Sequence, residues 1–394
     1  MTNGRDTVVL VKGQSQYDTM RELTTDIAAA FRRRGLTVVE VDGLDAASRE
    51  RAALMAAGGR VAFFYGMNGW GLGTTLDLKR WCDGAGIPFV AHLFDHPMTY
   101  LKRLLAAPAN VVWCLHDETY GGFIEKDLML GGTRAVVPVG GPIDEAPHPP
   151  PIAGREIAVL FPGSGYASTG REPPWSSATA EERKVMDACY DLALYDKSRP
   201  LHEIIRQVLR LYGAAPLDWR ADWLATVFSM LDNQLRVARR VEVVDALAGL
   251  PIHVYGQGWD HARSASGAAQ FHAPLGFRET QALMARSTIV LNVLPCVTAA
   301  PHDRMFYSMM AGAVCLTDRN GWVERHYREG EEIAVFDLPP RGLAEDVAEL
   351  LNDRDAIDAM AGAGRRRTAA EHSWLARVDA ILAAVADHRM ACAA

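Results

Sequence analysis

Two acid–imidazole pairs follow one another in the first third of the chain: Asp95 with His96 in "FVAHLFDHP", and His116 with Asp117 in "NVVWCLHDE". A carboxylate or imidazole within reach of a substrate hydroxyl can accept its proton near neutral pH, which is what general-base chemistry needs. Adjacent residues on an extended chain point to opposite faces. One member of each pair can therefore face a given cleft, and the other is placed to cap the next helix. Asp95 and His116 are the catalytic candidates. A third group of interest is Arg304, in the first turn of the helix read in "APHDRMFYSMMAG". A cation there opposes the helix dipole at a cost of about 0.3–1 kcal/mol when exposed, and becomes favourable if an anion binds at that end. The alternative is an arginine paired with a nearby acid such as Asp303.

Glycine-rich turns supply the next candidates. "GSGYAS" after "IAVLF" carries the first two glycines of a dinucleotide fingerprint, but Ser168 stands at the third position and the helix that should follow is delayed by "TGREPPW". NAD is therefore not indicated. Backbone N–H groups of Gly163, Ser164 and Gly165 can still approach a phosphate or a sugar, or the segment is a plain tight turn. "YGQGW" presents Gly256, Gly258 and then Trp259, suited either to stacking a ring or to core packing. Asp353, Arg354 and Asp355 spell a DxD triplet that by letters can bind a divalent ion. Between two surface helices it reads better as a solvated cap.

These residues need elements to hold them. "TVVLVKG", "LTVVEVDG", "RVAFFYGMNG", "PFVAHLFDHP", "NVVWCLHDE" and "RAVVPVGG" are short apolar strands alternating with helical segments, the pattern of a parallel sheet covered on both faces. Asn68, Asp95 and His116 fall at or just past strand ends, where open α/β sheets receive ligands. The proline-rich "GGPIDEAPHPPPIAGRE" breaks the alternation and sets a domain boundary near residue 150. A second series runs through "REIAVLFPGSGY", "PIHVYGQGW", "STIVLNVLP", "AVCLTD" and "EIAVFD". It is interrupted by a helical insertion at about 178–250 and closed by amphipathic covering helices up to 394.

With 49% hydrophobic and 23% charged residues over 394 positions, the chain has the composition of a soluble globular protein of two domains. Lys plus Arg total 41 against 48 Asp plus Glu, a net charge of -7 that gives no general attraction for nucleic acid. "MTNGRDTVVLVKG" opens without a signal-peptide or membrane-spanning run, so a cytoplasmic protein with no transmembrane segment is expected. Six cysteines show no metal-ligand spacing, and neither disulfides nor structural zinc is expected.

Taken in order, "FHAPLGFRETQALMARSTIVLNVLPCVTAAPHDRMFYSMMAGAVCLTDRNGWVERHYREGEEIAVFDL" and the final "HSWLAR" resemble the C-terminal half of GT-B-fold glycosyltransferases, in particular the CgeB-like (spore-protein-type) group. The likeness covers about residues 250–377 well. Over residues 1–250 it is one of architecture, with "HLFDHP" and "REIAVLFPGSGY" the most familiar pieces.

The resemblance implies an α/β fold of two Rossmann-like domains facing across a cleft, an N-terminal one (1–150) for the acceptor and a C-terminal one (151–394) for the nucleotide-sugar. The donor is a nucleotide-diphosphate sugar, with no cofactor or metal required, and the acceptor is not defined. Asn292, His302, Arg304, Phe306 and Tyr307 fall in the matching donor-side segments. Gly163, Ser164, Gly165, Gly256 and Gly258 complete that side, and Asp95 and His116 are expected on the other. Arg304 would meet the diphosphate at the helix N-terminus. The sequence departs from the family at Tyr307, where a ribose-binding glutamate is usual, and at Ala299, where its partner glutamate stands. A tyrosine hydroxyl can bond a ribose but lacks a carboxylate's paired acceptors. A sugar-nucleotide 2-epimerase on the same frame, and a non-catalytic ligand-binding or scaffold protein, are the alternatives.

Overall fold

The computed structural model describes residues 5–42, 45–73, 78–143, 151–165, 172–213, 216–260 and 267–393. The chain separates into two compact units. The first comprises Met1–Ile143 with Trp219–Ala225 and His372–Ala394, and the second Asp144–Asp218 with Thr226–Glu371.

The first unit is built on β1 (Thr7–Lys12), β2 (Thr37–Asp42), β3 (Val61–Met67), β4 (Phe89–Leu93), β5 (Val111–Leu115) and β6 (Thr133–Val136), in the spatial order β2-β1-β3-β4-β5-β6. Every pairing is parallel. β3, β4 and β5 are buried along their whole length, and so they read as unbroken apolar runs rather than alternating ones. The chain reverses its direction of winding between β1 and β3, and that is the switch point at which such sheets open a crevice beyond their carboxyl ends.

The second unit repeats the plan with β7 (Ile157–Pro162), β8 (Ile252–Tyr255), β9 (Gln270–His272), β10 (Ser287–Asn292), β11 (Val314–Asp318) and β12 (Ala334–Phe336), in the order β12-β11-β10-β7-β8-β9. All pairings are again parallel, and the switch point lies between β7 and β10. The segment between β7 and β8 holds the helices Ala180–Tyr195, Leu201–Leu211 and Asp222–Ala246. The first of them starts in a capping box, Thr179 accepting from Glu182 N–H while the Glu182 carboxylate accepts from Thr179 N–H.

Two features differ from the sequence reading. β9 is a three-residue edge strand, too short to leave an alternation in the sequence. The terminal helix Trp374–Ala393, read as a cover for the second half, packs on the first sheet instead, where Arg389 Nη2 donates to the Ala62 carbonyl. Its entry is fixed by a bridge in which Trp374 N–H donates to Gly141 O at 2.8 Å and Gly141 N–H to His372 O at 2.7 Å. Gly140 is required there, because a Cβ would lie 2.7 Å from the Trp374 ring.

Both units bury an imidazole. In the first, His92 on β4 accepts from Tyr65 Oη at 2.7 Å through Nδ1 and donates to Val137 O at 2.7 Å through Nε2, and burial pushes its pKa down to about 3. Burial likewise takes His202, on the helix Leu201–Leu211, to about 3. Unfolded imidazoles take up protons below about pH 6.5, and these two do not while the chain is folded. Stability is therefore expected to fall as pH drops from about 6.5 towards 3, by about 1.4 kcal/mol per pH unit from each histidine. Urea midpoints across that range test this, and His92→Gln should remove one histidine's share of the slope.

Candidate functional site

At the switch point of the second sheet, Asn292 ends β10 fully buried. Its Nδ2 donates to Thr317 Oγ1 on β11 at 2.9 Å, which fixes the amide orientation and turns Oδ1 towards Arg304, whose Nη1 donates to it at 2.8 Å. The Arg304 guanidinium carbon also lies 5.6 Å from the centre of the Phe161 ring on β7. One arginine thus spans the two strands that flank the crevice. It is carried on the first turn of the helix Asp303–Met310, whose N-cap is His302.

His302 Nδ1 is 2.7 Å from Asp303 Oδ1 and 3.2 Å from the Arg304 backbone nitrogen. The shorter contact makes Nδ1 the donor to Asp303. Burial lowers the His302 pKa, and the Asp303 contact counters it. Burial alone would raise Asp303, but the His302 contact and the Arg304 charge outweigh it and hold the carboxyl below its usual range. An ionised Asp303 at a helix start is favourable, and it offsets the cost of placing Arg304 beside it.

The two glycine turns interlock. Gly163 N–H donates to Tyr255 O at 2.9 Å and Gly165 N–H to Gln257 O at 2.8 Å. Trp259 Nε1 donates to Gly163 O at 2.8 Å, and Gln257 N–H to Ser164 Oγ at 3.2 Å. The N–H groups of Gly163 and Gly165 are therefore used within the protein, and Trp259 is a core side chain 6.1 Å from Phe161. A Cβ on Gly256 would stand 2.4 Å from Gly163 O, and one on Gly165 2.8 Å from Gly258 O, so glycine permits the turns to touch. Gly258 adopts φ +77°, a left-handed conformation natural to glycine. Gly256→Ala must push backbone from backbone, and is expected to cost about 1–3 kcal/mol, measured as a lower urea midpoint. Ser168, from the same motif, lies outside the described residues.

Phe306 is wholly buried, edge-on to Trp322 at 5.7 Å, and Tyr307 is buried edge-on to Phe277 at 5.1 Å. Asp353 Oδ1 accepts from Ala356 N–H at 3.0 Å and so caps a helix.

Three further groups on this unit escaped the sequence reading. Arg240, buried on the helix Asp222–Ala246, donates to Ser164 O at 2.9 Å. Asp318, buried at the end of β11, accepts Leu294 N–H at 2.7 Å and the Lys197 ammonium, which ties the helical insertion to the strand end. Burial lowers the Lys197 pKa, and Asp318 counters it.

In the first unit the polar groups cluster at the ends of β3 and β4. Asp95 Oδ2 accepts from Asn68 Nδ2 and from Tyr100 Oη, each at 3.0 Å, while Asn68 Oδ1 accepts from Phe94 N–H at 2.7 Å. Asn68 takes φ 48°, a left-handed conformation that asparagine tolerates, and this turns its side chain back across the strand ends. Asp95 itself is partly exposed. The other pair members are more enclosed. His96 caps the next turn through Nδ1 and Met98 N–H, and Asp117 accepts from Thr119 N–H and Oγ1. His116 is buried, with Nδ1 accepting from Val139 N–H at 3.1 Å and its ring against Phe94. Among the described residues no helix is long and apolar enough to cross a membrane.

Residues 236–383 match the family model described as glycosyl transferase-like. None of the curated proteins matches the sequence. Among solved structures, the DNA-modifying enzyme β-glucosyltransferase, studied with its substrate uridine diphosphoglucose, superposes with a TM-score of 0.55 at 11% identity, over 96% of this chain and 99% of that one. The Anabaena protein HepE in complex with UDP superposes with a TM-score of 0.51 at 12% identity, over 97% of this chain and 100% of that one. TarM gives a TM-score of 0.41 at 8% identity over 76% of this chain, which spans about half of TarM's length, 54%. The fold is the paired Rossmann-like architecture of GT-B glycosyltransferases, and the segment that carries Arg304 is glycosyltransferase-like in sequence.

Proposed function

We propose that the protein is a metal-independent glycosyltransferase of the CgeB-like group, moving a sugar from a nucleotide-diphosphate donor to an acceptor hydroxyl. The observation that carries this is the placement of Arg304: it sits at the switch point of the second sheet, on a helix N-terminus, and is oriented by Asn292. Such a position offers a fixed positive charge and helix N–H groups to an anion. As the bond from sugar to diphosphate breaks, negative charge grows on the departing diphosphate, and a preorganised arginine stabilises it more than it stabilises the bound donor. Asn292 cannot turn away without losing Thr317, so little reorganisation is needed at that moment.

On the first unit Asp95 is assigned as general base for the acceptor hydroxyl. Asn68 and Tyr100 hold its carboxylate in one orientation, with hydrogen bonds from the Asn68 amide and the Tyr100 hydroxyl. His116, whose Nδ1 is used by Val139, has a positioning role at the end of β5 in this reading.

The test is to incubate the protein with uridine diphosphoglucose and related donors, with and without a panel of acceptors, and to identify the products. Released nucleoside diphosphate together with a glycosylated acceptor, or with free sugar when no acceptor is given, supports the reading. A donor returned with its sugar epimerised would make the protein an epimerase on the same frame.

A further inference from the structure

At the switch point of the first sheet an arginine lies against two aromatic rings. Arg103 is partly buried; its guanidinium carbon lies 4.4 Å from the centre of the Trp70 ring and 5.0 Å from that of Tyr100, and Nη1 donates to Asn68 O at 2.8 Å. Among the described residues no carboxylate lies within ion-pairing distance of it. Its neighbour Lys102, by contrast, pairs with Asp222 at 3.0 Å. Burial lowers the Arg103 pKa.

The surroundings are built to hold this cation in place. Trp70 follows β3, and its ring covers Gly13 beyond β1 so closely that a Cβ on Gly13 would fall 2.2 Å from it. Trp70 is therefore fixed across the two strands that flank the crevice, with Arg103 against its ring. The same two residues that hold Asp95, Asn68 and Tyr100, also hold Arg103: the side chain of Asn68 goes to Asp95 and its carbonyl to Arg103, and the hydroxyl of Tyr100 goes to Asp95 and its ring to Arg103. Base and cation are thus set by one scaffold.

We infer that the acceptor carries an anionic group, a carboxylate or a phosphate, which Arg103 binds while Asp95 faces the hydroxyl to be glycosylated. This rests on the reading that the first unit receives the acceptor of a glycosyl transfer. A planar guanidinium suits both anions, since its fork matches either in bidentate fashion, and the aromatic faces keep it oriented before the ligand arrives.

The test is calorimetry and thermal melting of the full chain at low ionic strength, titrated separately with D-glucose, D-glucuronate, D-glucose 6-phosphate and UDP. The same titrations are made on Arg103→Met, which keeps the stem between the rings, and on Arg103→Lys, which keeps the charge without the fork. Wild type is expected to bind glucuronate or glucose 6-phosphate at least about tenfold more tightly than glucose. Arg103→Met should lose that preference, Arg103→Lys should keep part of it, and UDP binding should be the same in all three. Which of the two charged sugars binds more tightly tells carboxylate from phosphate. Equal binding of charged and neutral sugars by wild type overturns the proposal, and so does full preference in a folded Arg103→Met. Should Arg103→Met not fold, unchanged affinity in Arg103→Lys overturns it. UDP binding without the anion preference removes the acceptor inference and leaves the donor reading standing. The anion preference without binding of UDP or any other nucleoside diphosphate removes the donor reading and leaves only an anion site at Arg103.

Discussion

Replacing Asp95 by asparagine is expected to lower turnover 10²–10⁴-fold while changing donor affinity less than about threefold, the range that loss of a general base commonly gives. The substitution keeps the shape and removes the charge. Asn68 Nδ2 and Tyr100 Oη now donate to the carboxylate, and the asparagine carbonyl can still accept from both, so the local fold should survive. The acceptor hydroxyl then has no carboxylate to take its proton as it attacks. Steady-state kinetics with a saturating donor and a productive acceptor provide the check. A rate within a few-fold of wild type would take the base assignment away from Asp95.

Arg304→Ala should weaken nucleoside-diphosphate binding about 10- to 100-fold, since a hydrogen bond from a charged group contributes about 1.5–3 kcal/mol and about 1.4 kcal/mol is a factor of ten. The loss should be larger in kcat/KM than in binding, because the charge that Arg304 meets grows in the transition state. The change also strands Asn292 Oδ1 in a buried place, so a modest loss of stability is expected beside it. Asn292→Ala separates the two effects: it leaves the guanidinium but frees its direction, and should cost turnover more than it costs affinity. Calorimetry with UDP measures the binding arm, and unchanged affinity in folded Arg304→Ala would remove this residue from the donor site.

The parts legible in the sequence are those that local patterning controls. β3, β4, β5, β10 and β11 are buried on both faces and announce themselves as apolar runs, and the polar residues that end them, Asp95 and Asn292 among them, are where ligands meet such sheets. Arg304 stands out in the sequence because a cation at a helix start is a local anomaly. What stayed hidden depends on contacts across long chain separations. The terminal helix carries an ordinary amphipathic pattern that does not say which sheet it covers, and its placement rests on the Gly141–Trp374 bridge. Arg240 reads as one more charge on a helix until Ser164 is seen beneath it. Arg103 looks like a surface cation, and only the folded loop brings Trp70 over it. Conversely, Gly163 and Gly165 carry the letters of a phosphate cradle, but their N–H groups are used by Tyr255 and Gln257. A glycine motif states that backbone comes close to something, and here that something is a neighbouring turn.

The most direct measurement is a thermal-shift panel of nucleoside diphosphates and their sugars on the wild-type chain and on Arg304→Ala. A ligand that binds only the folded state at about a hundred times its Kd adds about 2.7 kcal/mol, several degrees of melting temperature for a unit of this size. The account predicts a saturable shift with at least one nucleoside diphosphate, largest for the nucleotide of the true donor and lost in Arg304→Ala. No shift with any member of the panel, or a shift of equal size in the variant, would contradict it.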